Sequence, residues 1–245
     1  MAAGSRGFLK LSFLICLISI ANTFGAAAAA GQWDILAEKS GGAGGNTGGV
    51  VAEFPPSCNR IECPGYSVVE SGNGYEIRRY NSSVWITTLP IQDISLVDAT
   101  RTGFFLLFDY IQGKNGYGQT IEMTAPVVTD VLPSDGPFCE SSFTVSFYVP
   151  AKNQADPPPA EGLHVQRWAT TYVAVRQFSG FVADYDVGVE AATLQASLAD
   201  TKWADPVAKG GDGPAAGKIQ YSVAQYNSPF EFSGRVNEIW FSFQM

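Results

Sequence analysis

The stretch from Ser95 to Thr129, SLVDATRTGFFLLFDYIQGKNGYGQTIEMTAPVVT, constrains the fold of this chain more than any other. Its first half has helical periodicity. Ser95 or Asp98 can serve as N-cap, and Gly113 stands where a left-handed C-cap belongs. Val97, Arg101, Phe104, Phe108 and Ile111 recur at spacings of three and four and so share one face. Ala99, Gly103, Leu106, Leu107 and Tyr110 form a second apolar stripe. A helix apolar on two sides needs two things to pack against. One is the protein's own sheet, and the other side is open to a ligand. The second half, Thr120 to Thr129, alternates as a strand with Ile121, Met123, Ala125 and Val127 on one side. Pro126 within it marks an edge or a bulge.

The flanking segments supply strands. Tyr75–Tyr80 (YEIRRY) and Val84–Leu89 (VWITTL) read as a hairpin around an Asn81-Ser82-Ser83 turn. Phe143–Val149 alternates strongly, and Pro157-Pro158-Pro159 closes this half as a stiff extended connection. The order then recurs. Leu163–Trp168 and Tyr172–Phe178 read as strands. Val187 to Trp203 reads as a helix with Ala191, Leu194 and Leu198 on one face, stopped by Asp205-Pro206. Ile219–Tyr226 and Glu238–Gln244 follow as strands. Tyr75–Tyr80 faintly echoes Tyr172–Phe178. A strand–strand–helix–strand–strand unit used twice predicts an α+β fold, a distorted and mostly antiparallel β-barrel with two helices packed outside.

At 245 residues, with 46% hydrophobic content, the chain can bury one large core. Residues 1–27 read as a secretory signal peptide. Arg6 and Lys10 form the basic start, Leu11 to Ile20 the apolar run, and Ala26 to Ala30 offer small-residue cleavage sites. Residues 28–57, which include SGGAGGNTGG, read as a Gly-rich linker, and 58–245 as the folded domain. The net charge is −8, and loss of the signal leaves 13 basic against 23 acidic residues. That balance excludes nucleic acid as a partner and, after cleavage, a membrane surface. The expected destination is extracellular or vacuolar, and the expected state a monomer.

Cys58, Cys63 and Cys139 remain in the mature chain. Cys58 and Cys63 enclose a short loop and can form a disulfide. An odd count leaves one thiol over or pairs Cys139 with either of the others. Asn81-Ser82-Ser83 is a glycosylation sequon.

Catalytic signatures are absent: no HExxH, no GxSxG and no GxGxxG after a strand. The tract GDGPAAGK, Gly211 to Lys218, lacks the glycine spacing and the hydroxyl of a phosphate loop and reads as surface. His164 has no local partner to orient it and reads as solvent-facing. Met123 could ligate iron through sulfur, but its phase with Ile121 and Ala125 makes it core filler. The face carrying Arg101, Phe104 and Phe108 is an aromatic wall with a cation at its rim, suited to a planar apolar ligand that bears carboxylates; Lys114 is a second cation nearby.

From about Cys63 onward the chain resembles plant members of the SOUL heme-binding protein family. The resemblance is carried by CPGY (Cys63–Tyr66), YEIRRY, GFFLLFDYIQGKN (Gly103–Asn115), IEMTAPV (Ile121–Val127), VSFYVP (Val145–Pro150), PPP, VAVRQFSGF (Val173–Phe181) and NEIW (Asn237–Trp240). It implies a barrel of two repeats, as in bacterial GyrI-like domains, and binding of heme or another tetrapyrrole without catalysis. It also implies an open cleft along the first helix, where Arg101, Phe104 and Phe108 fall, covered by a loop holding Pro229, Phe230 and Phe232. Relatives with methionine on that helix have aromatics here, and no axial histidine matches. The expected function is carriage or buffering of a tetrapyrrole, with no axial ligand assigned. Two alternatives remain: a protein–protein interaction module using the same cleft, and a hydrolase of apolar esters with Glu122 or Glu76 as base.

Overall fold

Ten strands curl into one antiparallel sheet, and the helices pack on a single face of it. The computed structural model describes residues 54–134, 136, 139–210 and 220–245. The expected signal peptide, most of the expected linker and the GDGPAAGK tract lie outside the described residues. Residues 54–57, assigned by composition to the linker, already belong to the domain: Pro56–Asn59 is a 3-10 turn and Ser57 is buried.

The elements in order are β1 (Tyr66–Gly72), β2 (Tyr75–Tyr80), β3 (Ser83–Thr88), β4 (Ile91–Asp93), α1 (Leu96–Ile111), β5 (Val127–Leu132) and β6 (Ser141–Tyr148). Then come β7 (Leu163–Trp168), β8 (Thr171–Ser179), α2 (Asp184–Leu198), α3 (Ala204–Gly210), β9 (Tyr221–Gln225) and β10 (Val236–Phe243). The sheet runs β1-β2-β8-β10-β9-β5-β6-β3-β7, with β4 added beside β6. If β2 is exchanged for β7, β3 for β8, β5 for β9 and β6 for β10, the order from β2 to β7 reads the same backwards. The duplication is therefore real, with its two-fold relation between β5 and β9. Every strand of one repeat that borders the other is paired antiparallel to it: β2 with β8, β3 with β7, β5 with β9.

This exchange overturns the expected hairpin. β2 and β3 are consecutive but do not pair; Tyr80 is opposite Thr171, and Ser83 is opposite Trp168. The link at Asn81-Ser82 carries the chain from one half-sheet to the other. The true hairpin is β1–β2, turned at Asn73-Gly74 with Gly74 at φ 82°, a dipeptide suited to that conformation. The apparent echo between Tyr75–Tyr80 and Tyr172–Phe178 also changes meaning. These segments are neighbours in the ladder, whereas the symmetry mate of β2 is β7.

Two further expectations are corrected. Residues 120–126 are not a strand, because their backbone groups are used elsewhere. Ile121 N donates to Ile111 O (2.8 Å), Ala125 N to Glu62 O (3.0 Å), and Thr124 Oγ1 to Tyr148 O (2.6 Å); Pro126 has no N–H to give. The ladder starts at Val127. The helix expected to run to Trp203 ends at Leu198, and Pro206 lies in the first turn of α3 instead of stopping a helix. A proline is tolerated there because first-turn N–H groups have no helical partner.

Alternation along the strands divides the core. Residues such as Val145, Phe147, Val223, Ile239 and Phe241 point to the helix-bearing face, where they pack under α1 and α2. Tyr80, Trp85, Tyr148, Val175 and Trp240 point to the opposite, concave side. The hydrogen-bonded ladder joins β7 to no strand of the opposite end among the described residues. Side chains close the gap: the Trp168 ring on β7 lies 6.3 Å from Tyr80 on β2 and 6.5 Å from Trp240 on β10.

Candidate functional site

The first helix is fixed at both ends and along one face. Ser95 is its N-cap, with Oγ accepting from Asp98 N at 3.1 Å, which satisfies one of the donors a helix start leaves unpaired. Leu96, Ala99, Gly103, Leu107, Tyr110 and Ile111 are buried on the sheet. At Gly103 a Cβ would collide with the Val145 side chain, so only glycine lets α1 approach β6 this closely. Gly113, at φ 104°, ends the helix as expected. The Tyr110 hydroxyl donates to Pro158 O (3.0 Å), and burial pushes that phenol up to about 12. The three-proline segment thus braces the end of α1.

The outward face is the aromatic wall. Phe104 packs edge-on against the buried Phe147 (5.4 Å) and stacks with Phe108 at 5.7 Å, their planes 16° apart. Phe108 is 39% exposed, and beside it Phe105 is 60% and Leu106 49% exposed. The rings are therefore not sealed under the sheet. The two stripes drawn from periodicity are corrected in detail: Leu106 belongs to the outer surface, and Ile111 is buried. Arg101 stands one turn before Phe104 and is paired with Asp98 (2.8 Å); Lys114 is paired with Asp109 (2.7 Å). All four of these side chains are well exposed, so either cation can turn toward an anionic ligand at little cost.

Pro229, Phe230 and Phe232 lie in the loop between β9 and β10. Phe230 and Phe232 are largely exposed, and the Phe232 ring lies 6.1 Å from Phe181. The Arg235 guanidinium covers Phe181 at 4.3 Å and donates to Ser228 O and Glu231 O at 2.7 and 2.8 Å. Glu231 pairs with Arg60, which holds its carboxyl below the usual range. Among the described residues no hydrogen bond, ion pair or ring contact joins this loop to α1. The structure brings Arg101, Phe104 and Phe108 onto one helix face and sets Phe232 of the loop beside Phe181. Periodicity missed Phe105, which sits out of phase, and grouped Leu106 with the buried Ala99, Gly103, Leu107 and Tyr110; the unbroken FFLLF run was the available signal.

The concave side carries a buried polar group. Arg78 on β2 and Glu238 on β10 are 4% and 0% exposed and pair at 3.0 Å. Arg78 also donates to Glu76, and its guanidinium lies 4.2 Å from the Tyr66 ring. Glu238 accepts from Tyr226 (2.9 Å) and from the Trp240 indole (2.7 Å). Burial works to lower the Arg78 pKa, but the Glu238 carboxylate acting together with the surrounding tyrosines outweighs it, leaving a cation at any accessible pH. Burial likewise raises the Tyr226 phenol, with Glu238 adding to the effect. The Cys58–Cys63 disulfide forms, with Cα atoms 5.5 Å apart, and packs with Ile61 and Tyr66 against this interior.

The remaining candidates are placed as follows. His164 is exposed on β7 opposite Thr87. Met123 is half-buried and packs into the cluster beneath α1. Asn81 is exposed. Glu122 is paired with Lys152 at 3.0 Å, and Glu76 with Arg78. Neither carboxylate has a nucleophile hydrogen-bonded to it. Among the described residues no group of three or more His, Cys, Asp and Glu side chains is placed to hold a metal ion. The outward face of α1 thus carries two nearly parallel rings, an apolar margin and a guanidinium one turn earlier in the helix.

Comparison with known proteins shows the family. The chain is 36% identical over 186 residues to human heme-binding protein 2, covering 74% of this chain and 85% of that protein. It is 25% identical over 174 residues to Xenopus laevis heme-binding protein 1, covering 70% and 85%. Among solved structures it is similar to the EcmrR C-terminal domain, at 9% identity and a TM-score of 0.44, covering 69% of this chain and 96% of that one. The family model described as SOUL heme-binding protein matches residues 61–242. With its duplicated antiparallel sheet and its exposed aromatic helix, the chain belongs to the SOUL heme-binding protein family.

Proposed function

We propose that the chain binds heme or a related tetrapyrrole reversibly on the outer face of α1, and carries or buffers it without chemical change. The observation that carries this reading is the Phe104–Phe108 stack, with Phe108 exposed and Phe104 half-buried, on the same helix face as Arg101 and opposite the face anchored in the sheet. Arg101 and Phe108 are seven residues apart, about 10 Å along the helix axis. A macrocycle laid over the rings can thus bring a propionate to the guanidinium. Covering roughly 300 Å² of apolar surface contributes about 7 kcal/mol before binding costs. Heme would supply its own iron chemistry; the chain's residues bind and orient the ring, and none is assigned as axial ligand.

Family membership and the names of the relatives favour binding over catalysis. A second reading, a protein–protein module, draws on Phe105 and Leu106, which extend the wall beyond the two stacked rings. Titration of the mature domain with hemin and with metal-free protoporphyrin, followed in the Soret region, tests the proposal. Saturable binding of both at one per chain supports it; weak, unsaturable uptake of both favours the partner module. We further propose that the chain enters the secretory pathway, on the pattern of residues 1–30 and the Cys58–Cys63 disulfide. Glycan attached at Asn81 of the native protein would support that route.

A further inference from the structure

The run CNRIEC, Cys58 to Cys63, is closed by its disulfide into a small covalent collar, and its contacts reach separate parts of the fold. Arg60 pairs with Glu231 in the β9–β10 loop. The Glu62 carbonyl accepts from Ala125 N at 3.0 Å, in the segment that joins α1 to β5. Glu62 Oε1 accepts from Ala151 N at 2.8 Å, just after β6. Ile61 packs on the concave interior together with both cysteines.

These contacts bear on the surroundings of the α1 wall. Ala125 follows Ile121 and Met123, which pack beneath α1 in the cluster that also holds Phe104. Glu231 stands between Phe230 and Phe232. Its Oε2 accepts from Asn227 Nδ2 and Ser228 N at 3.0 and 3.1 Å, which leaves Oε1 for Arg60. One covalent ring thus ties down both the footing of α1 and the loop that carries the exposed phenylalanines. Little else fixes the shape of the collar: Cys58 N, Arg60 N and Ile61 N bond only within one 3-10 turn, to Pro55 O and Ser57 O. The Arg60 side chain is 64% exposed, so its ion pair is weak by itself. An open chain would lose conformational freedom to place Arg60 and Glu62 together, and the disulfide removes that freedom beforehand. Both cysteines are half-buried, not sealed in the core, and access is what thiol–disulfide exchange requires.

We propose that the Cys58–Cys63 bridge is a thiol–disulfide switch: closed, it holds the β9–β10 loop and the segment after α1 in place; opened by a dithiol, it frees both and weakens the hold on a tetrapyrrole. The effect on affinity rests on the tetrapyrrole reading given above. Opening is a two-electron exchange. A thiolate of the dithiol attacks one sulfur, and the other sulfur leaves as a thiolate and takes up a proton. The second thiol of the reagent then resolves the mixed disulfide. Cys58 and Cys63 end as thiols and the reagent as its own disulfide. In an oxidising compartment the closed state prevails.

The test begins with amide hydrogen exchange of the ligand-free protein, before and after dithiothreitol, and of the double variant Cys58→Ser with Cys63→Ser. We expect faster exchange at Ala125, Ala151 and the 228–235 loop on reduction and in the variant, with the β5, β6, β8 and β10 ladders unchanged. Titration with metal-free protoporphyrin, followed by fluorescence, should give affinities at least about fivefold weaker for the reduced parent and the double variant than for the oxidised parent. Arg60→Ala in the oxidised protein should speed exchange in the loop and leave Ala125 and Ala151 protected. Unchanged exchange at these positions on reduction would overturn the switch. So would exchange that rises throughout the ladders, which would make the bridge a structural crosslink only. A dithiothreitol effect that the double variant does not reproduce would also overturn it, because another thiol would then be the target. If the double variant does not fold, the reduced parent decides alone. Equal porphyrin affinity in both redox states would overturn the switch; porphyrin binding in neither state would mean that the wall has failed, and the exchange contrast then decides the switch.

Discussion

Asp184, the first residue of α2, caps the start of α1: its Oδ1 accepts from Val97 N at 3.0 Å, and its Oδ2 accepts from Ser95 Oγ at 2.8 Å. One carboxylate thus lies in the first turn of its own helix and at the N-terminus of its symmetry mate. Both positions favour negative charge. Asp184→Ala should destabilise the domain by about 1–2 kcal/mol, and Asp184→Asn by less, since the amide oxygen can still accept. Urea unfolding midpoints at constant m-value measure both.

On the α1 wall, Phe108→Asp removes an exposed ring and puts a charge under the ligand. We expect hemin affinity to fall at least about tenfold with little change in melting temperature, because the ring is 39% exposed. Arg101→Ala should weaken binding by about threefold, as expected for an exposed charge. Joint replacement of Phe230 and Phe232 by Ser should matter less than Phe108→Asp, given that Phe232 lies beside Phe181 and no ring contact joins the loop to α1 among the described residues. A larger effect from the loop would mean that it folds over the ligand.

The Asp130 carboxyl predicts an acid-side gain in stability. Its folded pKa is raised, burial being the main cause. Protonation is therefore easier in the folded than in the unfolded chain. The sign follows: its contribution is fully present below the unfolded value and is lost as pH rises through the raised folded value. Asp130→Asn should accordingly be more stable than the parent at neutral pH, and the difference should shrink at acid pH. Thermal melts of the two proteins across that window measure it.

Arg78 and Glu238 form a buried pair, and removal of one member strands the other. Arg78→Met should cost about 3–5 kcal/mol, whereas the double change Arg78→Met with Glu238→Gln should recover part of it. A double-mutant cycle in urea gives the coupling directly.

Periodicity was enough to find α1, the buried face of α2 and most strands, because each has a long run with one apolar side. Leu163–Trp168 and Tyr75–Tyr80 emerged with their observed bounds. It did not reveal which strands pair. The β2–β3 link is short enough for a hairpin, and only the partner strands from the other repeat show that it is a crossing. The Asn73-Gly74 dipeptide was the signal for β1, passed over in favour of Asn81-Ser82-Ser83. At the wall, the spacing of Arg101, Phe104 and Phe108 was legible, but an apolar run such as FFLLF does not say which of its residues face the sheet, and Phe105 and Leu106 face away from it. That Thr144, Asp130, Ser222 and Trp240 stand in one row depends on lateral register across four strands, which no single segment encodes.

The swapped pairing of the repeats also governs how the domain can come into being. Severed at Pro157-Pro158-Pro159, each half would keep its helix but lose the strands that border its sheet on the far side: β2 would lack β8, β3 would lack β7, and β5 would lack β9. Neither fragment could then satisfy its edges alone. Synthesis must reach β9 before the first repeat has all its neighbours, so a nascent chain waits, half-zipped, for its own second copy.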